Sequence, residues 1–576
     1  MMTCSIHLLK WFVLAVGIGV SCLATALPPI AGHVVDNAGA SMEGVLVIAQ
    51  ADGETVLTAV SSDANGYFRF PERLVAGRYQ LRVRATGYRL TEPVALAHPG
   101  NGEAEARVVL TPVTDVDALA AQLTSFEWLR SFPGSHEQKS SLTRNLVGCH
   151  FCHSLERVAR STHDADALMA VIQRMKTYES DHSSAERIQV VAAPEPLDGL
   201  DWHGRDAAEM ARYMASVNLS AGRDQWTYSL QTASRPSGEA TRAVITVFSI
   251  PRQPSVIHDL DVDELGRVWY GNTGWDYLGM LDPVTAEFSE WEAPNFLPDA
   301  APGLDRIVGV QDIQVGPDGR VWSAIMGNKH AAFVPDTARW QIYDLPVIWK
   351  NPFLGPLRNG EPMLWATGIT ALPEGPIRHE HGFGLDTRTG VLSPGLMLFD
   401  DKPTPVSPYH RNLLNYCYMM DQDADGRFLC TAPEPSAIAR ADNEGRVRLV
   451  YTPTRHAYPR RGYRDDQNRF WFAEFYADKV GMIDLSTDQI TEYPLNEPFL
   501  FPYYARPDNA GRVWISSTGS DYLLKLDIAS GQFTRYLMPV EYDARKVVVD
   551  EQATHTTIWL PNKNAGQLIR VEVPAA

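Results

Sequence analysis

The sequence predicts a mainly β chain with an N-terminal β-sandwich, a small α-helical domain and a C-terminal seven-bladed β-propeller. Three observations predict this division. Residues 27–112 alternate apolar and polar side chains in short runs, as half-buried strands do. Residues 113–239 change to the spacing of amphipathic helices. Residues 240–576 repeat one strand-turn-strand unit at a period typical of propeller blades.

The first 26 residues have the features of an export signal. Lys10 precedes the apolar run WFVLAVGIGVSCLATA, which ends in the small residues Ala24 and Ala26. We expect a signal peptide over residues 1–26 with cleavage after Ala26, and hence a periplasmic or secreted protein. Lipid attachment at Cys22 is the alternative. No later segment is long and apolar enough to span a bilayer.

The overall charge argues against one class of partner. The chain has 51 Lys and Arg residues against 69 Asp and Glu residues, a formal net charge of −18. It also lacks a basic cluster with interspersed aromatic residues, so we expect no nucleic-acid binding.

The first β region contains a recognisable stretch, SSDANGYFRFPERLVAGRYQLRVRATGY at residues 61–88. This stretch resembles the carboxypeptidase regulatory-like domain. The resemblance implies a transthyretin-type β-sandwich without catalytic residues, acting as a spacer, an adhesion module or a sugar-binding module.

The helical region contains the sequence CHFCH at residues 149–153. In an exported chain, two thiols at this spacing add to the vinyl groups of haem, and the following imidazole binds the iron. We therefore predict one covalent haem c on Cys149 and Cys152, with His153 as the proximal ligand. A zinc site would need a second ligand pair, and only the scattered His163 and His182 follow. A thioredoxin-type redox pair would need a βαβ context that is absent.

The helices around CHFCH resemble a compact cytochrome c domain. Such domains usually take Met or His as the sixth iron ligand. We expect Met175 in this role because it shares a helical face with Leu168 and Ile172 and follows the haem motif. The alternatives are a vacant position, His182, His203 and Met210.

Two further cysteines of the mature chain, Cys417 and Cys430, flank a predicted hairpin turn. They would face each other directly or diagonally across it, so a disulfide and two free thiols are both open.

The propeller prediction rests on seven turn-and-anchor sequences. The turns are ELGRVW, PDGRVW, PEGPIR, ADGRFL, DQNRFW, NAGRVW and a looser seventh, with anchor residues at 269, 322, 378, 429, 471, 514 and 559. These anchors are 42 to 56 residues apart, which is typical of four-stranded blades. The segment AVITVFSI, residues 243–250, would supply the strand that the last unit lacks and close the ring.

The repeats GRVWYGNTGWDYLGMLDP and RFWFAEFYADKVGMIDL resemble the virginiamycin B lyase (streptogramin lyase) propeller family. The resemblance implies Mg²⁺-dependent elimination by a His and a Glu that lies 14 residues further on. Here Glu474 follows Arg460 by 14 residues and His258 precedes Asn272 by 14, so no unit has both residues. Glu474 and His258 remain candidate catalytic residues, and Mg²⁺ a candidate cofactor.

The blade register also predicts a binding mouth at one end of the channel. Residues eleven before and three after each anchor should face each other across the inner hairpin. The pairs are His258 with Asn272, Gln311 with Ile325, Thr367 with His381, Tyr418 with Ala432, Arg460 with Glu474, Tyr503 with Ser517, and Val548 with Asn562. We expect an ion pair between Arg460 and Glu474. Ligand or partner binding is expected where His258, His381, Arg460, Glu474 and Tyr503 converge.

Three functions follow as hypotheses. The first is electron transfer by an exported haem protein, or a haem-dependent oxidoreductase, whose propeller binds a redox partner or substrate. The second is a Mg²⁺-dependent lyase of the streptogramin lyase type. The third is a non-catalytic module that binds carbohydrate or protein.

Overall fold

The computed structural model describes most of the chain after residue 29. The described residues are 30–71, 74, 77–98, 104–143, 153–175, 178–179, 189–190, 206–220, 222–273, 275–294, 310–325, 329–346, 349–350, 353–370, 379–398, 417–433, 435–551, 555–563 and 565–574. The predicted signal peptide, Cys149, Cys152, His182 and His203 lie outside these ranges.

The N-terminal region forms a β-sandwich, as its alternating pattern predicts. Its strands are β1 (Ile30–Asp36), β2 (Leu46–Ala51), β3 (Val56–Ser61), β4 (Tyr67–Arg69), β5 (Gly77–Arg84), β6 (Tyr88–Leu90), β7 (Val94–His98) and β8 (Ala104–Pro112). One sheet has the order β4-β1-β8-β6, and the other contains β3-β2-β5-β7. Val34, Val47, Leu81 and Val108 are buried together in the core of the sandwich.

The middle region is helical. Its helices are α1 (Val116–Ala120), α2 (Ser125–Ser131), α3 (His136–Ser140), α4 (Glu156–Ala159), α5 (Ala165–Met175) and α6 (Ala207–Val217), with the short strands β9 (Tyr178–Glu179) and β10 (Gln189–Val190). Helix α2 begins with a capping box between Thr124 and Glu127. The buried faces of α5 and α6 contribute Leu168, Ile172 and Met210 to the core.

The C-terminal region consists of four-stranded antiparallel units. With β11 (Val244–Ser249), the strands are β12 (Ile257–Val262), β13 (Val268–Asn272), β14 (Tyr277–Asp282) and β15 (Glu287–Glu292) in unit 1; β16 (Ile313–Val315), β17 (Val321–Ser323), β18 (Lys329–Val334) and β19 (Arg339–Asp344) in unit 2; β20 (Trp349–Lys350), β21 (Met363–Thr370), β22 (His379–Asp386) and β23 (Leu396–Met397) in unit 3; β24 (Met420–Gln422), β25 (Phe428–Ala432), β26 (Ala437–Ala441) and β27 (Val447–Tyr451) in unit 4; β28 (Pro459–Arg464), β29 (Arg469–Glu474), β30 (Lys479–Asp484) and β31 (Ile490–Pro494) in unit 5; β32 (Pro502–Pro507), β33 (Arg512–Ser517), β34 (Tyr522–Asp527) and β35 (Phe533–Leu537) in unit 6; β36 (Val548–Glu551), β37 (His555–Asn562) and β38 (Gln567–Pro574) in unit 7.

Strand β11 completes unit 7. It pairs antiparallel with β38 along its whole length, in the position expected of AVITVFSI, so this prediction is confirmed. Its other edge pairs antiparallel with β3 of the sandwich. One eight-stranded sheet, β36-β37-β38-β11-β3-β2-β5-β7, therefore joins the sandwich to the propeller units.

A half-buried aspartate holds the turn after the first strand of several units. In unit 5, Asp465 Oδ2 accepts hydrogen bonds from Arg469 Nε (2.7 Å) and Trp471 Nε1 (2.9 Å). Asp263 and Asp508 make the same pair of side-chain bonds in units 1 and 6. This local network explains why an Arg and an aromatic anchor recur at fixed spacing in the sequence.

Cys417 and Cys430 form a disulfide with a Cα–Cα distance of 5.5 Å. The bridge joins the segment before β24 to the middle of β25 in unit 4. Of the two alternatives that the sequence leaves open, the structure therefore contains the bridge.

Among the described residues, no helix has the length and apolar character needed to cross a membrane.

Substituting Val247 by Asp should destabilise the sandwich and the propeller together. Val247 is fully buried in β11, between the two halves of the shared sheet. A buried unpaired carboxylate should lower the free energy of unfolding by about 4 kcal/mol. Urea unfolding followed by tryptophan fluorescence measures this. The exposed Val284 (92% exposed) is the matched control, since Val284→Asp should change stability by less than about 0.5 kcal/mol. If the two variants were equally stable, the role of β11 in holding the sandwich and the propeller together would be contradicted.

Candidate functional site

The first strands of units 1, 5 and 6 contain a β-bulge near their beginning. The observed pairs there are Ile257 with Asn272, Pro459 with Glu474 and Pro502 with Ser517. His258, Arg460 and Tyr503 are therefore displaced by one residue from their predicted partners. A bulge adds one residue to a strand and changes the direction of its side chains, and an alternating sequence pattern does not reveal it. Units 2 and 4 keep the predicted register.

Unit 3 differs more strongly from the prediction. His381 lies in β22, the third strand, where it faces Gly368. The turn between the first two strands is Arg358–Glu361, while the predicted turn at 373–378 lies outside the described residues, between β21 and β22. The prediction that His381 belongs to the inner hairpin is therefore wrong. The Asn-Gly pair at 359–360, followed by Trp365, is the hairpin signal that would have placed this unit correctly.

Unit 7 contributes an arginine that the sequence analysis missed. Val548 pairs with Trp559, so Val548 does not face Asn562 as predicted. Arg545, three residues earlier, reaches the mouth and donates from Nη1 to the hydroxyl of Tyr503 (3.3 Å). This unit lacks a clear turn motif, which explains the error.

A buried ionic network connects the first strands across the channel. Arg461 binds Asp259 with both terminal nitrogens, at 2.5 and 3.0 Å, and lies 3.4 Å from Asp312. Lys546 lies 3.7 Å from Asp312 on the other side. These residues come from units 1, 2 and 5 and the start of unit 7, so the network marks the axis where the units meet. Burial, and secondarily Asp259, raises the pKa of Asp312.

Arg460, the neighbour of Arg461, has different surroundings. Its guanidinium carbon lies 4.8–5.0 Å from the ring centres of four aromatic residues, Tyr418, Tyr458, Phe475 and Tyr503. We call this set the Arg460 box. The side chain is fully buried, and none of its three guanidinium nitrogens has a hydrogen-bond partner among the described residues.

Aromatic contacts extend this end of the channel towards unit 1. The ring of Phe353 lies 5.3 Å from that of His258 and 4.8 Å from that of Tyr418. The hydroxyls of Tyr418 and Tyr503 form a hydrogen bond. The structure thus brings together three of the five predicted mouth residues, His258, Arg460 and Tyr503.

Glu474 is not part of this group of residues. Its side chain lies against Gly481 of β30, so close that a Cβ atom added to this glycine would be 3.0 Å from Oε1 of Glu474. Neither carboxylate oxygen bonds to the guanidinium of Arg460, so the predicted ion pair with Arg460 is wrong. Burial, with Glu492 as the second cause, raises the pKa of Glu474 to about 8. Glu474 is therefore mostly uncharged at neutral pH.

A second candidate site is a cavity of about 460 Å³ where the sandwich, helical region and propeller meet. Its wall includes Arg84, Gln122, Thr124, His153, Asp521, Tyr542 and Asn562. His153 donates from Nδ1 to the carbonyl oxygen of Ser154 (2.9 Å), which leaves Nε2 as the nitrogen able to bind a metal. Burial lowers the pKa of His153 and favours its neutral form.

The helical region is fixed against unit 6 around this cavity. The N–H of Phe126 donates to the carbonyl of Gly519 (2.9 Å). Arg84 of the sandwich forms an ion pair with Asp521 and donates to the carbonyl of Met538 (2.7 Å). All three regions thus define the position of the cavity wall.

Met175, the predicted sixth ligand, lies at the end of a helix. Met175 is the last residue of α5 and is 36% exposed, so it does not share the buried position of Leu168 and Ile172. Met210 and Met214 on α6 are buried in the core. Among the described residues, no group of three or more His, Cys, Asp or Glu side chains is placed to hold a metal ion.

Comparison with known proteins gives one family match. Residues 29–111 match the carboxypeptidase regulatory-like domain family, which confirms the resemblance of the first β region. No curated protein is similar enough in sequence to match. Among solved structures, virginiamycin B lyase from Staphylococcus aureus is 17% identical over 57% of this chain and 99% of its own, with a TM-score of 0.45. A streptogramin B lyase structure is 17% identical over 58% of this chain and 99% of its own (TM-score 0.46), and the WD40 repeats of RRP9 are 8% identical over 57% and 97% (TM-score 0.42).

Glu474 should make stability fall as the pH rises. The pKa of Glu474 in the folded protein is about 8 against a usual 4.5, so the native state keeps a proton that the unfolded chain releases. This contribution is complete below about pH 4.5 and is lost as the pH rises to about 8. Urea unfolding measures the difference in the free energy of unfolding between Glu474→Gln and wild type. This difference should shift in favour of the variant by on the order of 3 kcal/mol between about pH 5 and 9. Glu264→Gln, at an exposed site, is the control and should show no such trend. If the pH profile of Glu474→Gln ran parallel to that of wild type, the raised pKa of Glu474 would be refuted.

Proposed function

We propose that the chain is an exported c-type haem protein that transfers electrons, with one haem held by Cys149, Cys152 and His153. The observation that carries the proposal is the position of His153, the histidine of CHFCH, in the wall of the cavity of about 460 Å³. When bound, haem c supplies a one-electron redox centre. The protein would be periplasmic or secreted.

The described residues around His153 fit an iron ligand. Its Nδ1 donates to a backbone carbonyl, which is the arrangement that fixes the tautomer and orientation of a ligating imidazole. Its lowered pKa favours the neutral ring, and a neutral ring is the form that binds a metal. Both features support His153 as proximal ligand.

The cavity also supports a role for the propeller. Asp521, Tyr542 and Asn562 of the propeller line the cavity that contains His153. A partner or substrate in this cavity would contact the haem-binding segment and the propeller at once. We propose that the propeller, with seven blades, supplies the binding face and the cytochrome c-like helical domain supplies the redox centre.

The positions of the two candidate catalytic residues do not support the alternative lyase function. His258 lies beside Asp259, with Nδ1 3.2 Å from its carboxylate, whereas Glu474 faces Gly481 of β30. Elimination requires a base and an electrophile at one reacting centre. We therefore favour the haem function over the lyase function.

Covalent haem should depend on the CHFCH cysteines and not on the other pair. After expression with the c-haem maturation machinery, wild-type protein should retain haem peroxidase staining on denaturing gels. The double variant Cys149→Ala, Cys152→Ala should lose the stain because no thioether bonds form. Cys417→Ala with Cys430→Ala is the matched control and should keep it. An intact wild-type mass without haem would end the proposal.

Met175 is proposed as the sixth ligand because it is the exposed methionine that follows the haem motif on α5. The oxidised wild-type protein should show a thioether-to-iron charge-transfer band at the red end of the visible spectrum, and Met175→Ala should lose it. The band should persist in Met214→Ala, in which a core methionine is removed. Loss of the band in Met210→Ala instead would move the assignment to α6, and its absence from wild type would favour His or an open position.

A further inference from the structure

Two consecutive arginines in the channel differ in whether an acidic side chain pairs with them. Arg460 and Arg461 are both fully buried in β28. Arg461 has two aspartates within hydrogen-bond or ion-pair distance, Asp259 and Asp312. Arg460 has no acidic partner and no hydrogen-bond acceptor among the described residues. A buried charge without a partner is strongly unfavourable, so an anion is expected at Arg460.

The nearby described charges do not neutralise Arg460. Arg545 approaches the same end of the channel, but its own guanidinium binds Asp543 with two contacts, at 2.9 and 3.1 Å. Glu474 faces β30 and is held in its protonated form by burial. Among the described residues, the Arg460 box therefore has one uncompensated positive charge.

We propose that the Arg460 box binds the carboxylate of a small organic monoanion. A guanidinium offers two parallel N–H donors that match the two oxygens of a carboxylate. One uncompensated charge balances a monoanion and leaves a dianion such as phosphate half neutralised. The aromatic walls suit an anion with an apolar portion better than an inorganic one. The inference rests on the proposed binding role of the propeller and is independent of haem attachment.

The two tyrosine hydroxyls in the box add further donors. Tyr418 and Tyr503 bond to each other, and Tyr503 also accepts from Arg545. A hydroxyl can donate to a carboxylate if its ring or O–H bond rotates. Because Arg460 is fully enclosed, at least one ring of the box must move to admit the ligand.

The test uses the full chain, expressed with the c-haem maturation machinery, and measures melting temperature and binding heat. Sodium acetate, propionate and benzoate are titrated against sodium chloride and phosphate at equal ionic strength. The carboxylates should raise the melting temperature saturably. In Arg460→Met the affinity should fall at least about tenfold, since one partner of a buried charge pair is lost. Arg460→Lys keeps the charge but not the paired donors, and it should bind more weakly than wild type.

A surface arginine provides the control. Arg446 is largely exposed and pairs with Asp442, so Arg446→Met should bind carboxylates like wild type. A wild-type protein without saturable carboxylate binding overturns the proposal, as does equal binding by Arg460→Met. Equal responses to chloride or phosphate overturn the carboxylate assignment. Haem staining of the same samples separates the two proposals, since stain-negative protein that binds carboxylate refutes only the haem function.

Discussion

The shared strand β11 is the constraint on which the arrangement of the chain depends. Its two edges bond to β38 and β3, so the last unit of the propeller and the second sheet of the sandwich form one hydrogen-bonded surface. The helical region lies in the chain between β8, in the other sheet of the sandwich, and β11, in this surface. Contacts to unit 6 then fix it around the cavity that contains His153.

The channel shows how a small backbone irregularity changes the chemistry of a repeated fold. Units 1, 5 and 6 have bulges at the same place in their first strands, and the consecutive residues there enter different environments. Arg461 joins the ionic network with Asp259, while Arg460 lies among aromatic rings. Two identical side chains thus have different surroundings: carboxylates bind one, and aromatic rings enclose the other.

Features set by local interactions were predictable from sequence. The turn around Asp465 is held by side chains within six residues of it, so its pattern recurs and identifies the units. The closing strand β11 was predictable because a β pattern preceded the first complete unit. The bulges were not, since these strand beginnings are buried on both faces and have no alternating pattern that a one-residue shift would disturb. The side of the sheet that Glu474 occupies, the role of Arg545 and the cavity at His153 depend on distant segments, which a local pattern does not specify.

The composition of the cavity wall has a consequence for the order of events during biogenesis. In an exported chain that crosses the membrane N-terminus first, the CHFCH segment emerges well before Tyr542 and Asn562, which form the far wall, and domains generally fold from the N-terminus onward as they emerge. The segment is therefore present in its compartment while that wall does not yet exist. Under the haem proposal, the group would be attached at this stage, and the last strands would complete the sheet afterwards.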